Sequence, residues 1–257
     1  MTKISIIIVS WNTKDLLNKC LRSIYDSTGD LELEVFVIDN NSGDGSVEMV
    51  KKSFPQVKLI ANDNNVGFGR ANNQGIDQST GDYILILNPD TELEKDTLEK
   101  SVKFMKENSD CGIVGPKMTF KDGGFQPSVR IFPTFIPILL MLTKLTKIFK
   151  FKSVSRYLAE DFDYSKTQVV DQVMGAYMFT SRSALDKVGG FDERFFLWFE
   201  EVDLCKRFSE GGFKVMYSPN IKIVHYGGQS FSKQRVVTKQ WRFFQSAFKY
   251  FIKHGIR

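Results

Sequence analysis

Five carboxylates and one imidazole stand where apolar runs give way to polar ones, and their positions limit the chemistry open to this chain. Asp39 closes the run Val35-Phe36-Val37-Ile38. A carboxylate there accepts a hydrogen bond from a ribose hydroxyl or a pyrimidine N3–H, or else shapes its own loop as an Asx-turn. Asp90 follows Asn88 and Pro89 at the end of Tyr83-Ile84-Leu85-Ile86-Leu87. It is a hard oxygen ligand of the kind that holds Mg²⁺ or Mn²⁺ jointly with a diphosphate, although Asn-Pro-Asp-Thr is also a good turn sequence. Glu200, Glu201 and Asp203 crowd the first turn of a helix expected from about Trp198 to Ser209. Acids in a first turn interact favourably with the helix dipole. Coming after Phe195-Phe196-Leu197-Trp198-Phe199, they also stand beside apolar surface, which raises carboxylate pKa values and makes better general bases. Neighbouring helical positions diverge by about 100°, so Glu200 and Glu201 cannot both point at one atom, and Asp203 lies nearer the Glu200 face. His225 ends Ile221-Lys222-Ile223-Val224 before Tyr226-Gly227-Gly228, where it reads as a metal ligand, a phosphate contact or a satisfied polar residue.

Missing motifs narrow the choice. The first strand-to-helix turn reads Ser10-Trp11-Asn12-Thr13-Lys14-Asp15, without the G-x-G-x-x-G of dinucleotide folds, and no Walker-type Gly-Lys-Ser occurs. Cys20, Cys111 and Cys205 are odd in number and far apart, so neither a zinc site nor a disulfide framework is suggested and a reducing compartment is expected. No leader peptide is evident before the first strand. No stretch reaches the roughly 18–20 apolar residues of a membrane span. A cytoplasmic location is expected, either free or peripheral at the inner face of the plasma membrane.

The elements that must position these residues alternate. Ile4 to Val9 is a continuous apolar run suited to a strand covered on both faces, and Leu16, Leu17, Cys20, Leu21 and Ile24 then recur at helical spacing. Further strands are expected at 35–38, 57–60 and 83–87, with helices at 46–53, 71–78 and about 95–106. Strands alternating with helices imply βαβ units and a mostly parallel sheet flanked by helices, whose ligands bind beyond the carboxyl ends of the strands. Ser10-Trp11-Asn12, Asp39-Asn40-Asn41 and Asn88-Pro89-Asp90 would then meet at one rim. Later apolar strands are expected at 113–118 and 173–180, and shorter ones near 213–217 and 221–225. This organisation gives a domain over 1–230, with a donor half to about 115 and a smaller acceptor-side extension from 116, followed by a C-terminal segment, 231–257.

The net charge of +5 is segregated. Gly123 to Ala159 and Gly211 to Arg257 hold 15 of the 35 basic residues and none of the 30 acidic ones, which leaves the rest of the chain acidic. Such asymmetry suggests a polyanionic or membrane-surface partner. No nucleic-acid-binding motif appears, and the basic segments are densely apolar. Ile131 to Leu142 is apolar except for Thr134 and runs on toward Lys144, Lys147 and Lys150. Trp241, Phe244, Phe248, Phe251 and Ile252 recur at helical spacing among Arg242, Lys249, Lys253 and His254. That pattern suits an amphipathic helix on an anionic bilayer, or a terminal helix packed on the core with a solvated basic face. Nothing here fixes an oligomeric state.

Taken in order, these passages resemble the family 2 inverting glycosyltransferases of GT-A fold, over roughly residues 3–230. The resemblance is carried by Ile7-Ile8-Val9-Ser10-Trp11-Asn12, Val37-Ile38-Asp39-Asn40-Asn41-Ser42, Asn65-Val66-Gly67-Phe68-Gly69-Arg70-Ala71-Asn72-Asn73, Leu87-Asn88-Pro89-Asp90, and Gly189-Gly190-Phe191-Asp192-Glu193 through Glu200-Glu201-Val202-Asp203-Leu204. Within the family the chain looks most like the rhamnosyltransferases that build bacterial surface polysaccharides. The resemblance implies an α/β, Rossmann-like fold and transfer of a sugar from a nucleoside-diphosphate donor to a glycan or lipid-linked acceptor. By the same resemblance Asp39 contacts the base or ribose, with Ser10, Asn12 and Asn41 in the same pocket. Asn65, Gly67 and Asn73 belong to the loop and helix closing over the nucleotide. Asp90 stands where the metal-binding D-x-D motif ends, with Asn88 in place of its first Asp. Glu201 sits where the family places its catalytic base, Glu200 is a substitute, and His225 matches a position that assists at the metal–diphosphate. Two rivals remain on the same scaffold: a nucleotidyltransferase, and a non-catalytic nucleotide-sugar or glycan-binding protein. A membrane-surface adaptor is a third.

Overall fold

Strand β1 (Thr2–Ser10) shows why the chain builds an open sheet. Ile4, Ile6 and Ile8 enter one apolar cluster with Leu17 and Leu21 of α1 (Lys14–Tyr25). Ile7 and Val9 enter a second cluster, with Ala71 and Ile76 of α3 (Phe68–Gln78). A strand buried on both faces belongs inside a sheet. Accordingly β1 lies between β2 (Leu31–Asp39) and β4 (Tyr83–Leu87), parallel to both, and β3 (Lys58–Ala61) extends the sheet beyond β2 after α2 (Ser46–Ser53). This is a computed structural model. It describes residues 1–255 apart from 28, 144 and 228–235, with only the backbone of 147, 236, 237 and 239. Gly228, Lys144, the Lys147 side chain and 231–235 of the C-terminal segment, all invoked from the sequence, lie outside the described residues.

The main sheet has the order β3-β2-β1-β4-β11-β6-β12-β5, where β5 is Thr91–Leu93, β6 Cys111–Thr119, β11 Tyr177–Ser181 and β12 Lys214–His225. It is mostly parallel; β11 runs against β4 and β6, and β5 against β12. Helices α4 (Thr97–Glu107), α7 (Arg182–Val188) and α8 (Glu200–Glu210) cover it. β7 (Phe125–Gln126) pairs with β6 and β9 (Gln168–Val169) with β12 as margins of this sheet, while a smaller layer is built from β8 (Val129–Arg130), α5 (Phe135–Leu142), α6 (Lys152–Tyr157), β10 (Gln172–Val173) and α9 (Val236–His254). Its own apolar cluster joins Ile138, Tyr157, Phe199, Val202, Tyr250 and Phe251. The GT-A architecture expected from the sequence is therefore present, and the boundary expected near residue 115 falls inside β6.

Four local expectations need correction. The strand expected at 173–180 is two strands, β10 and β11, because Met174-Gly175-Ala176 leave the sheet to line a cavity. The two strands expected near 213–225 are one, β12, which slips register against β6 between Ser218 and Lys222, around Pro219. Thr91, the last residue of the alternative Asn88–Thr91 turn, opens strand β5 (Thr91–Leu93) instead. Helix α8 starts at Glu200, not Trp198, because Trp198 (φ 63°) and Phe199 (φ 69°) both adopt the left-handed conformation.

Candidate active site

The strand order turns back between β1 and β4, and the crevice at such a reversal is where open α/β sheets bind ligands. A small cavity of about 60 Å³ lies there, lined by Val9 and Trp11 from the end of β1 and by Asn88, Pro89 and Asp90 from the end of β4. Asn40, Asn65 and Gly67 complete that wall. Gly67 has φ 91°, and a Cβ on it would stand 2.7 Å from the Phe196 carbonyl oxygen, so only glycine fits. The Asn65 Oδ1 accepts from the Gly67 N–H at 3.0 Å and holds this turn.

The small cavity shares Phe68, Asn88 and Leu197 with a larger one of about 450 Å³. The larger cavity wraps the first turn of α8, so Glu200 and Glu201 both line it despite diverging on the helix. Arg130, Gln126, Tyr157, Trp198 and His225 face it as well. Burial raises the pKa of Glu200 well above the usual carboxylate value, and the adjacent Glu201 charge pushes it the same way. Glu200 Oε2 is buried and makes no hydrogen bond. Burial also raises Glu201; backbone hydrogen bonds and the Arg130 charge oppose that shift. The left-handed pair Trp198–Phe199 aims this first turn into the cavity at a cost of about 1–3 kcal/mol per residue. Helix α9 braces the strained pair: Phe243 packs on both rings, and Ser246 Oγ donates to the Leu197 carbonyl at 2.8 Å.

Between the two cavities stand Asp90 and His225. Antiparallel pairing of β12 with β5 sets His225 opposite Thr91, and the Tyr226 N–H donates to the Asp90 carbonyl at 2.9 Å. His225 Nδ1 lies 3.0 Å from Gln126 Oε1, an acceptor, so Nδ1 donates to it and the ring is held with Nε2 toward Asp90. Nε2 is buried, makes no hydrogen bond and lies 3.4 Å from Asp90 Oδ1. An imidazole nitrogen and a carboxylate oxygen set this close are a donor pair that suits a hard or borderline cation. Among the described residues no group of three or more His, Cys, Asp or Glu gathers to hold a metal. The pair thus fits a Mg²⁺ or Mn²⁺ ion that takes its other ligands from a diphosphate and water.

The other expected residues divide. Asp39 lies beside Ser10 in the β1–β2 register; its Oδ2 accepts from the Ser42 N–H at 2.8 Å, while Oδ1 is buried without a partner. It lines neither cavity itself, but its neighbour Asn40 does. Ser10, Asn12 and Asn41 also line neither. Ser10 is fully buried with its hydroxyl on Thr13, 3.0 Å away, and Asn12 Oδ1 accepts from the Gly43 N–H at 2.8 Å. Asn41 is exposed, at φ 64°. Asn73 corrects the expectation of a nucleotide contact. Its amide is spent on the Phe191 carbonyl and N–H, at 2.9 Å each, and ties α3 to the segment before α8. Asp203 is a second correction. It is fully buried on the far side of α8, where Arg207 Nε (2.8 Å), Lys253 Nζ (2.6 Å) and His254 Nε2 (2.7 Å) surround it. It anchors the C-terminal helix and does not line the cavity. Sequence reasoning passed over Gln126 as a support for His225 and Arg130 as a cavity residue. Both sit on two-residue strands in the basic segment, with no motif to flag them.

The profile of glycosyl transferase family 2 matches residues 5–189, well over half of the chain. The chain belongs to glycosyl transferase family 2. The family match ends before α8 and His225, but longer relatives cover both. The N-acetylglucosaminyl-diphospho-decaprenol L-rhamnosyltransferase of Mycobacterium tuberculosis is 26% identical over 88% of this chain and 76% of its own length. The rhamnosyltransferase WbbL of Escherichia coli is 28% identical over 98% of this chain and 90% of its own. Among solved structures, a Pyrobaculum calidifontis mannosyltransferase in complex with GDP-Man and Mn²⁺ has a TM-score of 0.65 at 19% identity, over 97% of this chain and 63% of its own. Staphylococcus aureus TarS in complex with UDP-GlcNAc has 0.62 at 18% identity, over 91% of this chain and 62% of its own. The shared fold is GT-A. This chain is a glycosyltransferase of that family.

Proposed function

We propose that this family 2 enzyme is an inverting glycosyltransferase. It moves a sugar, rhamnose first among the candidates, from a nucleoside-diphosphate donor to a hydroxyl of a glycan or lipid-linked acceptor in surface polysaccharide synthesis. One observation carries the reading: two adjoining cavities that share Asn88, Phe68 and Leu197 as walls hold the His225–Asp90 pair at one end, where they meet, and two buried glutamates at the other. Diphosphate chemistry belongs at the first end and proton abstraction at the second.

Asp39 with its unpartnered Oδ1, together with Asn40 and Asn65, supports recognition of the nucleoside beyond the end of β2. Asp90 and His225 would hold Mg²⁺ or Mn²⁺. When bound, that ion supplies Lewis-acid stabilisation of negative charge on the diphosphate. Glu201 receives the proton of the acceptor hydroxyl as its oxygen forms a bond to the anomeric carbon. The bond from that carbon to the diphosphate breaks, its electron pair leaves on the diphosphate, and configuration inverts. Arg130 opposes the upward shift of Glu201 in the apolar cavity, while burial and the Glu201 charge push Glu200 toward its protonated form.

The reading is tested by incubating the protein with nucleoside-diphosphate sugars and a water-soluble glycan acceptor, with and without Mn²⁺. Release of nucleoside diphosphate with a product of opposite anomeric configuration is expected. Binding of the donor without release would mark a non-catalytic sugar-nucleotide protein, and transfer of the nucleoside monophosphate with release of sugar 1-phosphate a nucleotidyltransferase.

A further inference from the structure

Helix α9 is amphipathic the wrong way round for a surface helix. Its described cations are tied to the body: Lys253 bridges Asp192 and Asp203, Arg242 lies over the Phe196 ring, and Lys249, itself exposed, reaches the Arg194 carbonyl with its Nζ. Ala247, Tyr250 and Phe251 are buried on the same body. What faces outward is Trp241, Phe244, Phe248 and Ile252, spaced by three and four residues along one stripe and between 46% and 69% exposed. Their rings stack on one another, Trp241 on Phe244 at 5.8 Å and Phe244 on Phe248 at 6.3 Å, and not on the core.

The stripe does not stand alone. Helix α5 packs beside α9 and offers Phe135, Ile136 and Leu139 to solvent, and an apolar groove of about 230 Å³ runs between the two helices. Ile148 and Phe149 continue the exposed surface past α5. A contiguous apolar face of this kind on a folded chain marks an interaction site.

The charges at its edge select the partner. The exposed Lys150, Lys152 and Arg156 border the α5 side, and the sequence has no acid from Gly123 to Ala159 or beyond Glu210. Two copies of this chain meeting face to face would bring like charges together. An anionic bilayer offers both the apolar interior and the opposite charge. Among the described residues no helix is long and apolar enough to cross a membrane, so contact is face-on. The face also adjoins the large cavity: Met141 and Phe243 line the cavity, while their neighbours Leu142 and Phe244 line the groove.

We infer that the α5–α9 face docks on an anionic lipid bilayer and turns the cavity holding Glu200 and Glu201 toward the membrane. This deepens the proposed function and rests on it for one consequence: the acceptor that reaches the cavity is the lipid-linked form of the glycan.

The test is co-sedimentation of the full chain with phosphatidylcholine vesicles, with or without phosphatidylglycerol, alongside analytical ultracentrifugation of the protein alone. The chain is expected to bind the phosphatidylglycerol vesicles and to be released by salt. The double variant Phe244→Ser/Phe248→Ser should lose about tenfold in vesicle affinity, because both apolar anchors are removed. Lys150→Glu/Lys152→Glu should weaken binding to the anionic vesicles alone. Neither variant should alter transfer to a water-soluble acceptor, since neither touches the crevice. Absence of binding to anionic vesicles, binding undiminished in both variants, or a wild-type dimer that the apolar variant dissociates would overturn the docking. Vesicle binding without sugar transfer would instead count against the proposed function and leave the docking standing.

Discussion

His225 Nε2 lies 3.4 Å from Asp90 Oδ1 with no hydrogen bond to relieve it, although the residues are far apart in sequence. The β12–β5 pairing enforces the approach, and Gln126 fixes the ring by accepting from Nδ1. A buried ring nitrogen held against a carboxylate is stable only if a cation or proton comes between them. Gln126→Ala should therefore weaken Mn²⁺ affinity about 10- to 100-fold by freeing the imidazole, while leaving metal-free nucleotide binding unchanged. Titration calorimetry of nucleoside diphosphate with and without Mn²⁺ measures both. Asp90→Ala should abolish the metal-dependent component outright.

The two glutamates should separate by variant. Glu201→Gln is expected to lower kcat by about 10²–10⁴ with nucleotide binding intact, the range general-base catalysis supplies. Glu200→Gln mimics the protonated acid and should keep most of the activity. Because the folded state raises the Glu200 pKa, its contribution to stability is full below the ordinary value of 4.5 and is lost as pH rises through the folded value. Glutamine removes that loss, so the Glu200→Gln melting temperature should exceed wild type at neutral pH.

As the proposed base, Glu201 must be deprotonated to act, and burial raises its pKa. The acid limb of kcat/KM should then lie above the usual glutamate range, with activity falling as pH drops through it. Arg130→Met removes the charge that opposes the shift, so the limb should move to higher pH. A pH–rate profile of both proteins decides the point; an unmoved limb in the variant would assign it to another group.

Asp203 ties α8 to the C-terminal helix. Burial alone would raise its pKa, but Lys253, Arg207 and His254 more than reverse this and hold it below the usual carboxylate value. Asp203→Asn leaves buried cations unpaired and should cost about 3–5 kcal/mol in urea unfolding. Activity of the remaining folded protein should fall less than in Glu201→Gln, since Asp203 does not line the cavity.

Glu34 carries an acid-sensitive lock far from the site. Burial would raise its pKa, yet hydrogen bonds from Lys58 Nζ (2.6 Å), Ser5 Oγ (2.7 Å) and the Thr80 N–H (2.8 Å) bring it down to about 2. A lowered folded pKa stabilises above the unfolded value of 4.5, and that contribution is lost as pH falls toward about 2. Glu34→Gln should cost about 1–3 kcal/mol at pH 7 by leaving these donors poorly satisfied. The difference from wild type should shrink in unfolding curves taken below pH 4.5.

The sequence by itself determined the sheet and its rim. Continuous apolar runs at Ile4–Val9, Val35–Ile38 and Tyr83–Leu87 are strands because only two covered faces bury them, and the parallel pairing that follows sets Ser10 beside Asp39. The acids Asp90, Glu200 and Glu201 were legible because a charged residue at the edge of an apolar run needs a reason. Only the tertiary structure decided which polar residues face the crevice. Asp203 and Glu201 sit on one helical turn, yet the first meets Lys253 and His254 and the second an apolar cavity, a distinction drawn by partners fifty residues away. Asn73 reads like a ligand contact until Phe191 is seen to take its amide. Gln126 and Arg130 were silent because two-residue strands have no periodicity to read. The C-terminal helix shows the same limit. Its composition announced an amphipathic helix, but which face turns inward depends on the acids waiting in the body, and Asp192 and Asp203 draw the lysine in and leave the aromatic stripe outside.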